Sequence, residues 1–151
     1  TDRMKRIQTD IIIEAPVKVV WEVFTDKASY PTWNPFIKRI EGEMKEGEIL
    51  KNTLMQANGR SIQFTPKVLV AKEEQEFRWL GHLWMKGIFD GEHYFKFEAV
   101  SAHQTRLIHG ENFTGILSGL LMKMIGEDTE KGFIAMNEAL KKQAELRSRL
   151  A

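Results

Sequence analysis

There is no cysteine anywhere in the 151 residues. Disulfides, thiolate zinc sites, iron–sulfur clusters and cysteine nucleophiles are therefore excluded. Absence of cysteine fits a cytoplasmic protein, which is the expected location. An excess of one charge sign is also missing: 22 Lys and Arg stand against 21 Asp and Glu. Nucleic-acid binding rests on clustered positive charge, so no nucleic-acid partner is expected. No long apolar run occurs either. The most apolar stretch, 115–126 (GILSGLLMKMIG), contains Ser118, Lys123 and three glycines and is too short to cross a bilayer. The opening TDRMKRIQTD has no apolar core of a signal peptide. Stable membrane insertion is not expected. No phosphate-binding loop surrounds Gly110, Gly115 or Gly119, and no nucleophile motif surrounds Ser61, Ser101 or Ser118. No cofactor is implied.

What is present is ordinary globular composition, 42% hydrophobic and 28% charged, without repeats or linkers. One domain over 1–151 is expected. Residues 5–14 (KRIQTDIIIE) are β-branched and end at Ala15-Pro16, which reads as a strand. Val17, Val20, Trp21 and Phe24 then recur at helical spacing, to about Asp26. The turn-rich 27–35 leaves room for one helical turn. From 36 onward, turn signals at Gly42, Gly47, Asn58-Gly59, 72–75, Gly87 and 101–104 separate strands at 36–43, 47–57, 61–71, 76–83, 88–99 and 105–114. The remainder reads as one long helical stretch. An antiparallel sheet followed by a helix of that length predicts a sheet curled around the helix, an α+β fold.

The segment IIIEAPVKVVWEVFTDKASYPTWNPFI resembles the opening of the START/birch-pollen-allergen-like (SRPBCC) superfamily, and its polyketide cyclase/dehydrase-like branch in particular. GEHYFKFE, TRLIHGENFTGIL and GFIAMNEALKKQAE extend the resemblance over nearly the whole chain. It implies a helix-grip fold: a seven-stranded antiparallel sheet wrapped around the C-terminal helix, enclosing a cavity for an apolar ligand.

Strand alternation assigns faces without the resemblance. Phe89, Gly91, His93, Phe95 and Phe97 form the inner set of 88–99, against Asp90, Glu92, Tyr94, Lys96 and Glu98. Leu107, His109, Glu111 and Phe113 point inward from 105–114, and Phe77 and Trp79 from 76–83. In 61–71, Ile62, Phe64, Val68 and Val70 share a face, with Pro66 interrupting the ladder. Leu50, Asn52 and Leu54 are the inner set of 47–57. A cavity of several hundred Å³ is expected, with Trp33, Phe36, Asn52, Leu54, Phe64, Val68, Trp79, His93, Phe95, His109, Glu111, Phe113, Leu121 and Met124 as its ligand-binding residues. Trp33-Asn34-Pro35 also reads as structural, with Trp33 plugging the base of the barrel and Asn34 tying the turn.

His93, His109 and Glu111 are polar residues on an inner face and must be paired or neutral there. Three readings stand open: a satisfied buried cluster, the convergent polar groups of an apolar pocket, or a metal site short of its fourth ligand. A β-turn centred near Ala102 makes facing residues sum to 204, which sets His93 opposite Glu111. In catalysis Glu111 would be a general base with a raised pKa and His93 a proton donor or oxyanion partner.

The expected function is binding of a small hydrophobic molecule between sheet and helix, as carrier or sensor. The alternatives are a polyketide cyclase/dehydratase-like enzyme using Glu111 and His93 as its catalytic acid–base pair, and a protein-interaction module akin to the Hsp90-activator branch. Oligomeric state is left open. One feature of the tail opposes a simple packed helix. Leu117, Leu120, Leu121, Met124 and Ile125 form one stripe; Phe133, Met136, Leu140 and Ala144 form another, displaced by roughly 150° at 100° per residue. With Gly126 and Gly132 between them, a break or kink is expected between Ile125 and Phe133.

Overall fold

A computed structural model of the chain describes residues 4–56, 58–83 and 85–150, with Leu83 described by its backbone. Strand β1 (Lys5–Ile13) leads to helix α1 (Val17–Thr25), a 3₁₀ turn (Lys27–Ser29) and the short helix α2 (Tyr30–Trp33). Strands β2 (Ile37–Glu41), β3 (Lys51–Met55), β4 (Ser61–Phe64), β5 (Lys67–Lys72), β6 (Glu76–Leu83), β7 (Phe89–Ser101) and β8 (Gln104–Thr114) follow, and helix α3 (Ser118–Leu150) closes the order. The strands pair as β1-β8-β7-β6-β5 and as β2-β3-β4, all antiparallel. Residues 47–50 join the two sets. Gly47 N–H donates to the Val68 carbonyl, Val68 N–H to Glu48 and Leu50 N–H to Pro66, at 2.8–2.9 Å. The result is a curled antiparallel wall gripping α3, the helix-grip fold. No described helix is long and apolar enough to cross a membrane.

Among the described residues the strands number eight, not the expected seven. The stretch 61–71 splits at Thr65-Pro66, where a residue without a backbone N–H cannot continue the ladder. Its second half is also re-aimed. A bulge between Val68 and Val70 sets Val68 opposite Trp79 but Val70 opposite Arg78, so Val70 turns outward and Ala71 takes the inward place opposite Phe77. The 27–35 stretch holds slightly more helix than expected, a 3₁₀ turn running straight into α2. The β3–β4 hairpin forms around Asn58-Gly59; Gly59 alone of the two has positive φ, and Asn58 Oδ1 instead accepts from Arg60 N–H.

The break in the tail does not occur: α3 is one continuous helix of 33 residues. Its second stripe, Phe133, Met136, Leu140 and Ala144, is buried. Its first stripe is not buried against the same sheet; Leu120 is 59% and Met124 69% exposed, while Leu121 and Met122 pack partly on the core. The conflict between stripes is resolved by leaving one in solvent rather than by bending the helix. Gly132 has a packing reason. A Cβ there would stand 2.7 Å from Cδ1 of Phe36, so the glycine lets that ring lie against the helix backbone. The C-terminal half of α3 is tied to β1 and its exit. Lys141 Nζ donates to the Ile12 carbonyl (2.7 Å), and Glu145 accepts from Glu14 N–H (2.9 Å).

The inner faces follow the alternation in β6, β7 and β8: Phe77, Trp79, Phe95, Phe97 and Leu107 form the buried core with Phe24, Phe133 and Leu140. Tyr94 departs from it, being buried on the outer face. Its ring lies over Gly110, its hydroxyl donates to Gln8 Oε1 (2.6 Å), and the Arg78 guanidinium covers it at 4.8 Å.

Candidate functional site

A cavity of about 510 Å³ opens between the sheet and the middle of α3. Its inner end is aromatic. Phe89 and Phe113 stack at 5.4 Å, and Phe36 completes the wall. Leu54, Ile62 and Phe64 form the side contributed by β3 and β4. The mouth is polar, with exposed Gln56, Asn58, Asp128 and Lys131. Inward-facing alternate residues of β7 and β8 supply the two polar groups at the inner end, His93 and Glu111.

The register that sets them together is the one expected. Phe97 pairs with Leu107, Phe95 with His109 and His93 with Glu111. His93 is buried, and the Glu111 side chain is 16% exposed, its accessible part facing the cavity. The two approach at 3.5 Å between Nδ1 and Oε1, longer than a good hydrogen bond. The other carboxyl oxygen, Oε2, lies over Gly91, where any Cβ would overlap it. Gly91 therefore provides the floor on which the carboxyl rests.

Behind this pair runs a chain of buried hydrogen bonds. His93 Nε2 meets His109 Nε2 at 2.7 Å, His109 Nδ1 meets Asn137 Oδ1 at 2.8 Å, and Asn137 Nδ2 donates to Thr9 Oγ1 at 2.8 Å. Thr9 Oγ1 in turn donates to the His109 carbonyl at 2.9 Å. This last bond gives the chain a direction. A backbone carbonyl only accepts, so the single hydroxyl proton of Thr9 points at it. Thr9 Oγ1 must then accept from Asn137, whose Oδ1 accepts from His109 Nδ1–H. His109 Nε2 is left bare and accepts from His93 Nε2–H. His93 Nδ1 ends as a lone pair facing Glu111. Reversing the chain would set two acceptors, Thr9 Oγ1 and the His109 carbonyl, against each other.

The electrostatics agree with that direction. Burial holds His93 well below its ordinary value, and the neighbouring His109 ring lowers it further. Burial lowers His109 to about 3, partly offset by its bond to Asn137. Burial raises Glu111 to about 8. Near neutrality the site holds two neutral imidazoles and a largely protonated carboxyl. The facing nitrogens of His93 and His109 are directed at each other, so they do not form the two-histidine, one-carboxylate set of a metal site. Among the described residues no group of three or more metal-ligating side chains converges.

Of the residues expected at the site, Phe36, Leu54, Phe64, His93, Glu111 and Phe113 line the cavity. Val68, Trp79 and Phe95 are buried in the core behind it, and His109 stands one layer deeper, stacked on Phe133 at 4.2 Å. Trp33 packs edge-on against Tyr30, with its Nε1–H on Ser29 Oγ (2.9 Å), and Asn34 Oδ1 caps the N–H groups of Phe36 and Ile37. Asn52 is buried without a side-chain hydrogen bond among the described residues and lies outside the cavity wall. Leu121 is half-buried and Met124 is in solvent; neither borders the cavity. The wall instead takes Ile125, Thr129 and Gly132 from α3. Thr9 and Asn137 were not singled out from the sequence, while Gly91 was read only as an inner-face position and Gly132 only as part of a helix break. Asn137 carried a readable signal: it sits within the buried Phe133–Met136–Leu140 stripe, where a polar residue requires a partner.

Residues 4–145 match the family model for polyketide cyclase/dehydrase and lipid transport. No sequence among the curated proteins matches the chain. Solved structures resemble it closely in shape. The Zhui aromatase/cyclase from Streptomyces sp. R1128 superposes with a TM-score of 0.78 at 19% identity, over 96% of each chain. A norcoclaurine synthase point mutant from Thalictrum, solved with a transition-state analogue, gives 0.74 at 13% identity, over 97% of this chain and 98% of that one. Ara h 8.0201 gives 0.64 at 13% identity, over 93% and 99%. At these identities the likeness is one of fold.

Proposed function

The chain belongs to the polyketide cyclase/dehydrase and lipid-transport family, and on that premise we propose that it binds a small, mostly apolar molecule in the cavity between the sheet and α3. The observation that carries this is the cavity itself: about 510 Å³ in the position a packed core would fill, walled by Phe36, Leu54, Ile62, Phe64, Phe89 and Phe113. Pockets of that size and lining suit ligands of drug-like dimensions. The test is native mass spectrometry of the purified protein with extraction of lipids and aromatics, repeated on Leu54→Trp, which fills the cavity from one side. A reproducible bound species lost in the variant supports the reading. Equal occupancy in both proteins refutes it.

A second reading, acid–base catalysis, is favoured by the convergence of Glu111 and His93 on one point of the wall. The direction of the buried chain exchanges the roles read from the sequence. Glu111 is the acid and His93 Nδ1 the base. With a ketone seated there, Glu111 gives its proton to the carbonyl oxygen while His93 removes one from the adjacent carbon. The C–H electron pair becomes the new C=C bond, and the carbonyl π pair takes the Glu111 proton. An enol is formed beside a carboxylate and an imidazolium that stabilise each other. The check is deuterium exchange at the α-carbon of 2-tetralone followed by NMR. Exchange no faster than in Glu111→Gln rejects catalysis while leaving ligand binding intact.

A further inference from the structure

We infer that the buried chain from Thr9 through Asn137, His109 and His93 sets the specificity of the cavity, so that it takes apolar ligands bearing one hydroxyl and discriminates against those bearing a carboxylate. The inference rests on the ligand-binding reading above and adds to it the chemistry of the group bound at the inner end.

The argument starts from Thr9, which is not on the cavity wall. Its hydroxyl proton is held by the His109 carbonyl. That one bond passes an acceptor role to Thr9 Oγ1, a donor role to His109 Nδ1 and, through the 2.7 Å contact of the two Nε2 atoms, a bare Nδ1 to His93. Glu111 faces that lone pair at 3.5 Å. A carboxylate there would be repelled by it, and a carboxylic acid would not. The inner end therefore presents one donor, the Glu111 O–H, beside one acceptor, His93 Nδ1. Their separation is too long for either to saturate the other. A hydroxyl matches both at once: it accepts from Glu111 and donates to His93. A ligand carboxylate meets a lone pair at an inner end where, among the described residues, no cation stands, Lys131 being at the exposed mouth, and an unpaired buried charge is costly. Other titratable groups on the wall have their own settings: His82 is engaged with Asp90 (2.7 Å), Lys131 with Glu127 (3.6 Å), and Asp128 is exposed at the mouth. Thr9 and Asn137 are thus positioning residues that act through the two histidines.

The experiment compares 2-naphthol, 2-methylnaphthalene and 2-naphthoate by titration calorimetry at pH 6, in the wild type and in Thr9→Val and Thr9→Ser. A net gain of about 1 kcal/mol from the hydroxyl corresponds to roughly fivefold tighter binding of naphthol than of methylnaphthalene. Naphthoate is expected to bind weakest. The preference should fall to near unity in Thr9→Val and return in Thr9→Ser. Equal binding of naphthol and methylnaphthalene, tightest binding of naphthoate, or a preference unchanged in Thr9→Val overturns the inference and leaves the cavity reading standing. Failure of all three probes to bind overturns both. Nitrogen-15 NMR of the wild type supplies a readout independent of any variant. His93 should be protonated at Nε2 and His109 at Nδ1; the same tautomer in both rings overturns the proposal.

Discussion

His93 and His109 face each other through their Nε2 atoms at 2.7 Å, inside an aromatic cage in which Phe95 and Phe133 lie against both rings. Only one proton fits between two such nitrogens. The rings must therefore hold opposite tautomers, and neither can charge without cost. Every expectation about the pH behaviour of the domain starts from that contact and from the acid beside it.

Stability should peak near pH 6.5 as far as these three groups control it. The folded histidines lie below their ordinary value, so below about 6.5 the unfolded chain binds more protons and stability falls with falling pH. Folded Glu111 lies near 8, above its ordinary value, so its contribution is fully present below about 4.5 and is lost as pH rises to 8. Above 6.5 the histidine effect fades, and toward pH 8 the second effect remains alone. Urea denaturation of Glu111→Gln against the wild type isolates it: the wild type should lose up to about 1.4 kcal/mol per pH unit relative to the variant. Parallel curves would show an ordinary carboxyl.

Gly91→Ala tests the seat of the carboxyl. The new methyl collides with Glu111 Oε2, the mobile end of a side chain, so the strand itself can stay in place. The cost in stability should be within about 1 kcal/mol, typical of a substitution that relaxes locally. The carboxyl, pushed off its floor toward the cavity, should titrate closer to the ordinary range in ¹³C NMR. An unmoved titration would show that Gly91 has no part in holding it.

Gly132→Ala sets two effects against each other. Alanine in a helix gains about 1 kcal/mol over glycine. The added Cβ would lie 2.7 and 2.9 Å from the Phe36 ring, and overpacking of that kind costs about 1–3 kcal/mol. Phe36 is wedged against Phe133, so the clash should win, with a net loss of about 1 kcal/mol and a smaller cavity. A gain in denaturation midpoint would show that the ring yields freely.

The two stripes of α3 should answer differently to alanine. Leu140→Ala removes a fully buried side chain and should cost about 2–5 kcal/mol. Leu120→Ala, on the exposed stripe, should stay within about 0.5 kcal/mol. A large loss at Leu120 would place that stripe against something in the folded protein, and comparable thermal shifts in the two variants would contradict the facing of the helix.

Much of the fold was legible because local rules carried it. The period-two pattern of Phe89 to Phe97 marked an inner face, and Pro66 marked an interruption. Reading failed where a distant partner intervened. The bulge at Val68/Val70 is a property of the β5–β6 pair, not of the β5 sequence. Tyr94 looked solvent-facing, and is covered because Gly110 on the neighbouring strand leaves room for its ring. The two apolar stripes of α3 are a property of its sequence, but which one is buried is decided by how the helix packs into the core.

The same division runs through the site. A turn near Ala102 and the alternation of two adjacent strands pointed to His93 opposite Glu111, and that pairing is found, but the turn alone does not set it: the hairpin closes on Ser101 opposite Gln104, and a bulge between Ala99 and Ser101 restores the register that pairs the two. The sequence by itself thus determined the face on which both side chains lie, and the bulge completed their pairing. It did not determine what they are chemically. The bare nitrogen on His93 and the proton on Glu111 depend on Asn137 from α3 and Thr9 from β1, which reach the histidines only when the helix is packed into the sheet. Hydrogen-bond polarity passes from group to group along such a chain, and burial alone removes the water that would otherwise let each group choose its own state.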